Sequence, residues 1–183
     1  MTTSKKENTY RIAVRAGLEK IVVNVGVGRA SNQPSFEEKV LPQILKDIAA
    51  ITGQKAEIRK ARKSIAGFKI RENQIVGLRI NLRRARMVDF FERLVKIVLP
   101  RVRDFGGIEL EKIDKSGILS LGVREQVVFP EISPEDSPFV FSLGMNIVPK
   151  VKNQVKAEAL YRELGFPLKK AKSPVVKGRG KKK

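Results

Sequence analysis

Leu18-Glu-Lys-Ile-Val-Val-Asn-Val25, followed by Gly26-Val-Gly28, is the stretch on which the fold turns. Successive side chains of an extended chain point to opposite sides, so Ile21, Val23 and Val25 share one face and Lys20, Val22 and Asn24 the other. The spacing predicts a strand with one face on a core and a polar face toward solvent, ended by the glycines. Leu78, Ile80 and Leu82 repeat the pattern against Arg79, Asn81 and Arg83, and Phe139, Phe141, Leu143, Met145 and Ile147 repeat it once more.

Helical spacing occupies the intervals. Phe36, Val40, Leu41, Ile44, Leu45, Ile48 and Ile51 follow Ser35-Phe-Glu-Glu38, where a serine and a glutamate three residues on can cap each other's backbone amides, and Gly53 supplies a stop. A helix over 36–52 is expected, with Pro42 in conflict because an internal proline removes a hydrogen bond and clashes one turn back. Met87, Phe90, Phe91, Leu94, Ile97 and Val98 predict a second helix closed by Pro100, and Asn153 to Leu164 a third with Gly165 beyond it. Ile65 to Arg71 and Ile75 to Arg83 flank Glu72-Asn-Gln74 at hairpin spacing, with only a short segment around Glu57 to Lys60 before them. Ile108 to Leu110, Ile118 to Val123, Val127 to Ile132 and Phe139 to Val148 read as further strands. The order predicts one α+β domain over 18–170, a two-layer sandwich with helices packed on one face of a mainly antiparallel sheet. A short segment, 1–17, precedes it, and a basic tail over 171–183, expected to be disordered, follows.

The chain has 183 residues, enough for a single sizeable core, and its 38 Lys and Arg against 19 Asp and Glu leave a net charge of +19. The excess is concentrated. Lys55 to Arg86 holds 11 basic and 2 acidic residues, and Lys169 to Lys183 holds 8 basic and no acidic ones. Localised charge of this kind marks a face for an anionic partner. A membrane surface would require basic residues on one side of an amphipathic helix with large apolar residues opposite, a period that Lys55 to Arg86 lacks. Nucleic acid is the better fit. No stretch approaches the roughly 18 apolar residues that cross a bilayer, and the first residues lack the apolar segment of a secretory signal. A soluble, cytoplasmic chain without a membrane partner is expected.

Cysteine and histidine are both absent, which removes disulfides, thiolate and imidazole metal ligands, cysteine nucleophiles and every triad built on an imidazole base. No metal or cofactor is expected. Gly26-Val-Gly28-Arg-Ala-Ser31 lacks the third glycine and the later acidic residue of a dinucleotide fingerprint, so it reads as a strand exit. Glu125 and Glu131, with Arg124 adjacent, read as structural ion pairs or solvated strand ends rather than an acid and base. Ser64 among lysines lacks an oxyanion hole, and with no catalytic constellation the chain is not expected to be an enzyme. The polar strand face with Lys20, Asn24, Arg79, Asn81 and Arg83 suits structured RNA: amides read base edges and 2′-hydroxyls while cations hold phosphates. Phe68 is the sole aromatic of the basic stretch, and two readings stand, a core anchor or an exposed ring that stacks on a nucleotide.

Gly53-Gln-Lys55, Lys60-Ala-Arg-Lys-Ser64, Ala66-Gly-Phe-Lys-Ile-Arg71, Phe90-Phe-Glu-Arg93, Pro100-Arg-Val-Arg-Asp-Phe105, Gly122-Val-Arg-Glu-Gln126 and Phe129-Pro-Glu-Ile132 occur in an order that resembles the bacterial-type large-subunit ribosomal protein five family, the binder of 5S ribosomal RNA. The resemblance runs from about Leu18 to Lys169. It implies an α+β two-layer fold, no enzymatic activity and a place in the central protuberance of the large subunit. It also implies 5S contacts at Asn24, Gln54 and Asn81, the last standing where the family usually has threonine, with Lys20, Lys55, Arg79 and Arg83 beside them. Ser64 through Gln74 corresponds to the loop turned toward peptidyl-site tRNA, with Ser64, Gly67, Phe68, Lys69 and Arg71 on it. Arg59, Lys60, Arg62 and Lys63, with Lys181, Lys182 and Lys183 of the tail, are left for general ribosomal RNA backbone, including 23S RNA. Neighbouring 5S-associated proteins and a small-subunit head protein at an intersubunit bridge complete the implied partners. Two departures from the family accompany the resemblance: its N-terminal helix is shortened here to Lys5 through Arg15, and the tail from Ala171 to Lys183 extends past the usual end. The rival function is a free RNA-binding or RNA-chaperone protein outside the ribosome.

A tail this rich in cations can follow phosphates without reading bases, since neutralising each duplex phosphate steepens the log affinity against log salt plot by about 0.9. Deleting Ser173 to Lys183 should flatten that plot and lower affinity for 5S and non-cognate RNA by similar factors. An unchanged slope would show that the tail meets no phosphate in the binary complex.

Overall fold

Strand β1 (Leu18–Gly26) is the middle of a five-stranded antiparallel sheet. β3 (Ile75–Leu82) lies on one side of it and β2 (Glu57–Lys60) beyond β3; on the other side come β5 (Leu143–Pro149) and β4 (Leu119–Val123). The computed structural model describes residues 2–28, 30–32, 34–103 and 105–169, so the basic tail lies outside the described residues. Register follows the alternation. Ile21, Val23 and Val25 stand opposite Leu82, Ile80 and Leu78 on β3 and opposite Ile147, Met145 and Leu143 on β5. All nine are buried in one apolar cluster, together with Leu119 and Val123 of β4. Burying an aliphatic side chain contributes about 1.5–3 kcal/mol, so a one-residue slip of β1 alone would forfeit on the order of 5–9 kcal/mol.

The helices complete that cluster. α1 (Thr2–Gly17) runs into β1 and buries Val14. Its Arg11 pairs with Asp89 and, at 2.9 Å, with Glu92, while the Tyr10 hydroxyl donates to the Leu164 carbonyl at 3.2 Å. The Glu92 carboxyl is held below its ordinary 4.5, chiefly by the Lys96 hydrogen bond and further by Arg11, against the opposing effect of burial. α2 (Leu41–Thr52) buries Leu41, Ile44, Ile48 and Ile51. α3 (Arg84–Arg93) buries Met87, Val88, Phe90 and Phe91, and α5 (Gln154–Glu163) is capped by the Asn153 side chain, which accepts from the Val155 and Lys156 amides.

Two helices differ from the expectation in the same way. Phe36–Val40 and Leu94–Val98 each form one wide turn, in which Leu41 donates to the Phe36 carbonyl and Leu99 to the Leu94 carbonyl, five residues back. Each wide turn leads into Val-Leu-Pro: Pro42 opens α2, and Pro100 sits in the short α4 (Leu99–Arg101). A proline offers no amide to the carbonyl four residues back and its ring crowds that carbonyl; widening the turn relieves both. The Pro42 conflict is thereby resolved within the helical run, and Pro100 does not close its helix, which continues to Arg101. The capping box at Ser35 does not form: Ser35 is left-handed, with φ of 64°, and its side chain caps nothing.

The strand assignments need three corrections. Ile65 to Arg71 is not a strand; Ile65 bridges only Ile70, and the true partner of β3 is the exposed β2, paired Glu57 to Arg79 and Ile58 to Leu78. Ile108 makes only a single parallel bridge to Leu168. Residues 127–132 turn instead of extending, with Phe129 donating to the Gln126 carbonyl at 3.0 Å and Ile132 to the Phe129 carbonyl at 3.2 Å, while residues 139–142 stay out of the sheet, bonded to the side chain of a buried glutamine. The fully buried Gln126 donates to the Phe139 carbonyl at 2.7 Å and to Ser137 Oγ at 3.2 Å, and accepts from the Phe141 amide at 3.0 Å. Ser137 in turn donates to Asp47 Oδ2 of α2. Of the two glutamates expected in ion pairs or at solvated strand ends, Glu125 is exposed and Glu131 pairs with Arg93, whose other nitrogen donates to the Ile51 carbonyl at the end of α2 at 3.0 Å.

Gln126→Leu keeps the volume but strands the Phe139 carbonyl and the Phe141 amide, each worth about 1–3 kcal/mol, so stability should fall by about 2–6 kcal/mol in denaturant melts. A loss under about 0.5 kcal/mol would show that the amide does not hold this segment.

Candidate nucleic-acid interface

The helices cover one side of the sheet, and the residues that β1 turns away from the core lie on the other. Asn24 is exposed there, Lys20 is half-buried and pairs with Glu19 at 3.3 Å, and Val22 is buried between Asn81 and Asn146. The register aligns one row across all five strands: Glu57, Arg79, Asn24, Gly144 and Gly122. The next row is Asn81, Val22, Asn146 and Ser120. Polar side chains link the rows, since Asn24 Nδ2 donates to Asn146 Oδ1 at 3.4 Å and Asn146 Nδ2 to Ser120 Oγ at 3.2 Å. Arg79 Nε is buried without a hydrogen-bond partner among the described residues, and its cross-strand neighbour Glu57 pairs with Arg59 at 2.8 Å. No aromatic side chain stands in either row, so this face offers hydrogen-bonding amides and cations rather than a stacking platform.

Of the residues expected on this face, Lys20, Asn24, Arg79 and Asn81 come together. Arg83 lies one residue beyond β3, extended and exposed. Gln54 and Lys55 stand off the rows, in the turn after Gly53, where the Thr52 hydroxyl accepts from the Gln54 amide at 3.3 Å and an Arg86 nitrogen reaches Gln54 Oε1 at 3.5 Å. Asn146, Ser120 and the Gly122–Gly144 pair were not singled out from the sequence, although the inward alternation of Leu143, Met145 and Ile147 turns Asn146 outward by the same rule.

A second basic surface rises beyond β2. Arg59, Lys60, Arg62, Lys63, Ser64, Gly67, Phe68, Lys69 and Arg71 are all exposed, on β2 or on the loop 61–74. Its tip is a single tight turn over Ala66–Phe68, closed by Lys69 in the left-handed conformation with φ of 53°, a geometry that costs a non-glycine residue about 1 kcal/mol or more. Phe68 is 74% exposed. The core-anchor reading therefore falls, and an aromatic ring flanked by Lys69 and Arg71 points into solvent. Among the described residues no group of acidic side chains is arranged to hold a metal ion, and no helix is long and apolar enough to cross a membrane.

Residues 15–71 match the family model described as Ribosomal protein L5, and residues 75–168 match the companion model for the C-terminus of the same ribosomal family. The large ribosomal subunit protein uL5 of Rubrobacter xylanophilus is 48% identical to this chain over 152 residues, 83% of the chain and 82% of the relative. That of Anaeromyxobacter dehalogenans is 45% identical over 152 residues, with the same coverage of 83% and 82%. That of Chlorobium luteolum is 42% identical over 153 residues, 84% of the chain and 77% of the relative. A basic α+β chain matched along its length in this way is a ribosomal protein and not an enzyme. It belongs to the ribosomal protein L5 family.

Because the Phe68 ring contributes little to the core, Phe68→Ala should change unfolding stability by no more than about 0.5 kcal/mol. A loss of about 3 kcal/mol or more, the scale of a deleted core ring, would restore the anchor reading.

Proposed function

We propose that this chain is a structural constituent of the large ribosomal subunit that binds 5S ribosomal RNA through the open face of its sheet and mounts that RNA in the central protuberance. One observation supports the reading above the others: Arg79, Asn24, Asn146 and Ser120 run across an uncovered sheet face, with a buried Arg79 nitrogen left unpaired among the described residues. The chain's own core has no use for these groups. Structured RNA does, because A-form helices display 2′-hydroxyls and base edges to amides, and phosphates to guanidinium groups. Asn81 and Lys20 share this face, Arg83 follows directly after β3, and Gln54 and Lys55 reach the same RNA from the turn after α2.

The loop 61–74 serves a different RNA. Ser64, Gly67, Phe68, Lys69 and Arg71 meet the elbow of peptidyl-site tRNA, and Arg59, Lys60, Arg62 and Lys63 run along the backbone of ribosomal RNA, including 23S. The relatives' name, large ribosomal subunit protein, supports a place in the cytoplasmic ribosome. There the chain adjoins the other 5S-associated proteins and reaches a small-subunit head protein across the intersubunit gap. A free RNA-chaperone role would require the same cations but no stable residence on the subunit.

The reading is tested by binding and sedimentation together. The protein should remain on the large subunit in high salt, and Asn24→Ala or Gln54→Ala should weaken its complex with 5S RNA by about 1–3 kcal/mol per lost contact, with an unrelated folded RNA unaffected. Equal losses on both RNAs would remove the recognition role, and absence from sedimented subunits would favour the free RNA-binding protein.

A further inference from the structure

The loop 61–74 is built so that its shape and its angle to the sheet have separate causes. Its shape is closed by its own backbone. Ala61 donates to the Gln74 carbonyl at 2.8 Å and Asn73 to the Ala61 carbonyl at 3.0 Å, while Ile65 and Ile70 exchange bonds of 2.9 and 3.2 Å. The bonds at Ala61 carry on from the β2–β3 ladder, whose last pair is Lys60 and Ile75, and root the stem, but none of these bonds reaches the body of the protein beyond those two strands. No residue from 61 to 74 is buried, so the apolar docking that ordinarily fixes a loop's angle is missing.

A single amide spans the gap. Gln74 Nε2 donates to Ser31 Oγ at 2.7 Å and to Asn32 Oδ1 at 2.8 Å, while its Oε1 accepts from the Arg71 amide at 2.8 Å. Among the described residues, the two bonds from Nε2 are the side-chain hydrogen bonds that join this loop to the rest of the chain. Their far end is fixed, because Ser31 donates through Oγ to the Gly28 carbonyl at 2.9 Å and through its amide to the Val27 carbonyl at 2.9 Å. Val27 in turn donates to the Val76 carbonyl at 3.1 Å, next to β3. The Gln74 carboxamide thus uses both donors and its acceptor to tie the loop tip's stem to the exit of β1, the strand that bears Asn24. Between the two stands an open groove of about 1060 Å³ lined by Ser31, Asn32, Lys69 and Arg71.

We propose that Gln74 is a positioning residue, a latch that sets the angle of the 61–74 loop to the sheet and so fixes how far the cationic tip stands from the Asn24 face. Its functional side rests on the reading that the tip meets tRNA; the latch itself does not.

The absence of cysteine allows the test, since Ala66→Cys on the tip and Lys46→Cys on α2 are the sole sites for paired nitroxide labels. Pulsed electron–electron distance measurements on the labelled full chain should give a narrow distribution. Gln74→Met, of similar length but with no donor or amide acceptor, should broaden it at least about twofold, with the thermal midpoint within about 2 °C because the site is not in the core. Asn32→Leu should broaden it too, whereas Asn32→Asp, which keeps the acceptor, should not. Unchanged widths in both Gln74→Met and Asn32→Leu overturn the latch. On ribosomes, Gln74→Met should leave 5S affinity within about twofold and speed release of peptidyl-site tRNA about threefold or more, since an unfixed loop must be ordered at each encounter. A broadened loop with unchanged tRNA release leaves the latch standing and removes the tRNA-facing reading instead.

Discussion

β1 is hydrogen-bonded on both sides, and its apolar residues can meet those of β3 and β5 in only one register. Everything the sheet presents to a partner depends on that constraint. A strand's side chains alternate with period two, so seating Ile21, Val23 and Val25 in the core forces Lys20 and Asn24 outward, and the neighbouring strands bring Arg79 and Asn146 alongside. A slip of one residue would forfeit several kcal/mol of burial, comparable with the whole stability of a small domain. The polar sheet face is held in place by a core that contains none of its residues.

The helical layer meets a different constraint with a repeated device. Both Val-Leu-Pro sequences are preceded by a wide turn, and in both the chain continues as helix beyond it. A wide turn weakens regular packing locally, yet it lets Phe36, Val40, Leu94, Val98 and Leu99 all reach the core around a proline that would otherwise break the element. Propensity alone would end both helices at that residue. Tertiary burial keeps them running.

The central strands were legible because their signal is a period enforced by the core. β2 was not. All four of its residues are exposed, as suits a charged edge strand held by backbone bonds, so it carries no apolar alternation, while the apolar Ile65, Phe68 and Ile70 nearby belong to a loop. Residues 127–132 and 139–142 look like strands in composition, but the first closes into turns on its own backbone and in the second a buried glutamine supplies hydrogen bonds that a neighbouring strand would have given. At the interface, Lys20, Asn24 and Arg79 follow from alternation, whereas the place of Gln54 came from family resemblance alone. The bond between Gln74 and Ser31 spans 43 positions and follows no period, so no pattern in the sequence could announce it.

The 61–74 loop leaves its residues without any share in the core. A substitution there is filtered almost wholly by what the loop touches and hardly at all by whether the chain folds. The sheet face differs: Asn24 and Arg79 alternate with residues the core cannot spare, so an insertion or deletion that reshapes the face also unseats the strand beneath it. Over evolutionary time the two surfaces are therefore free to drift at different rates. The loop can be refitted to a changed partner by single substitutions, while the sheet face is tied to the history of the fold.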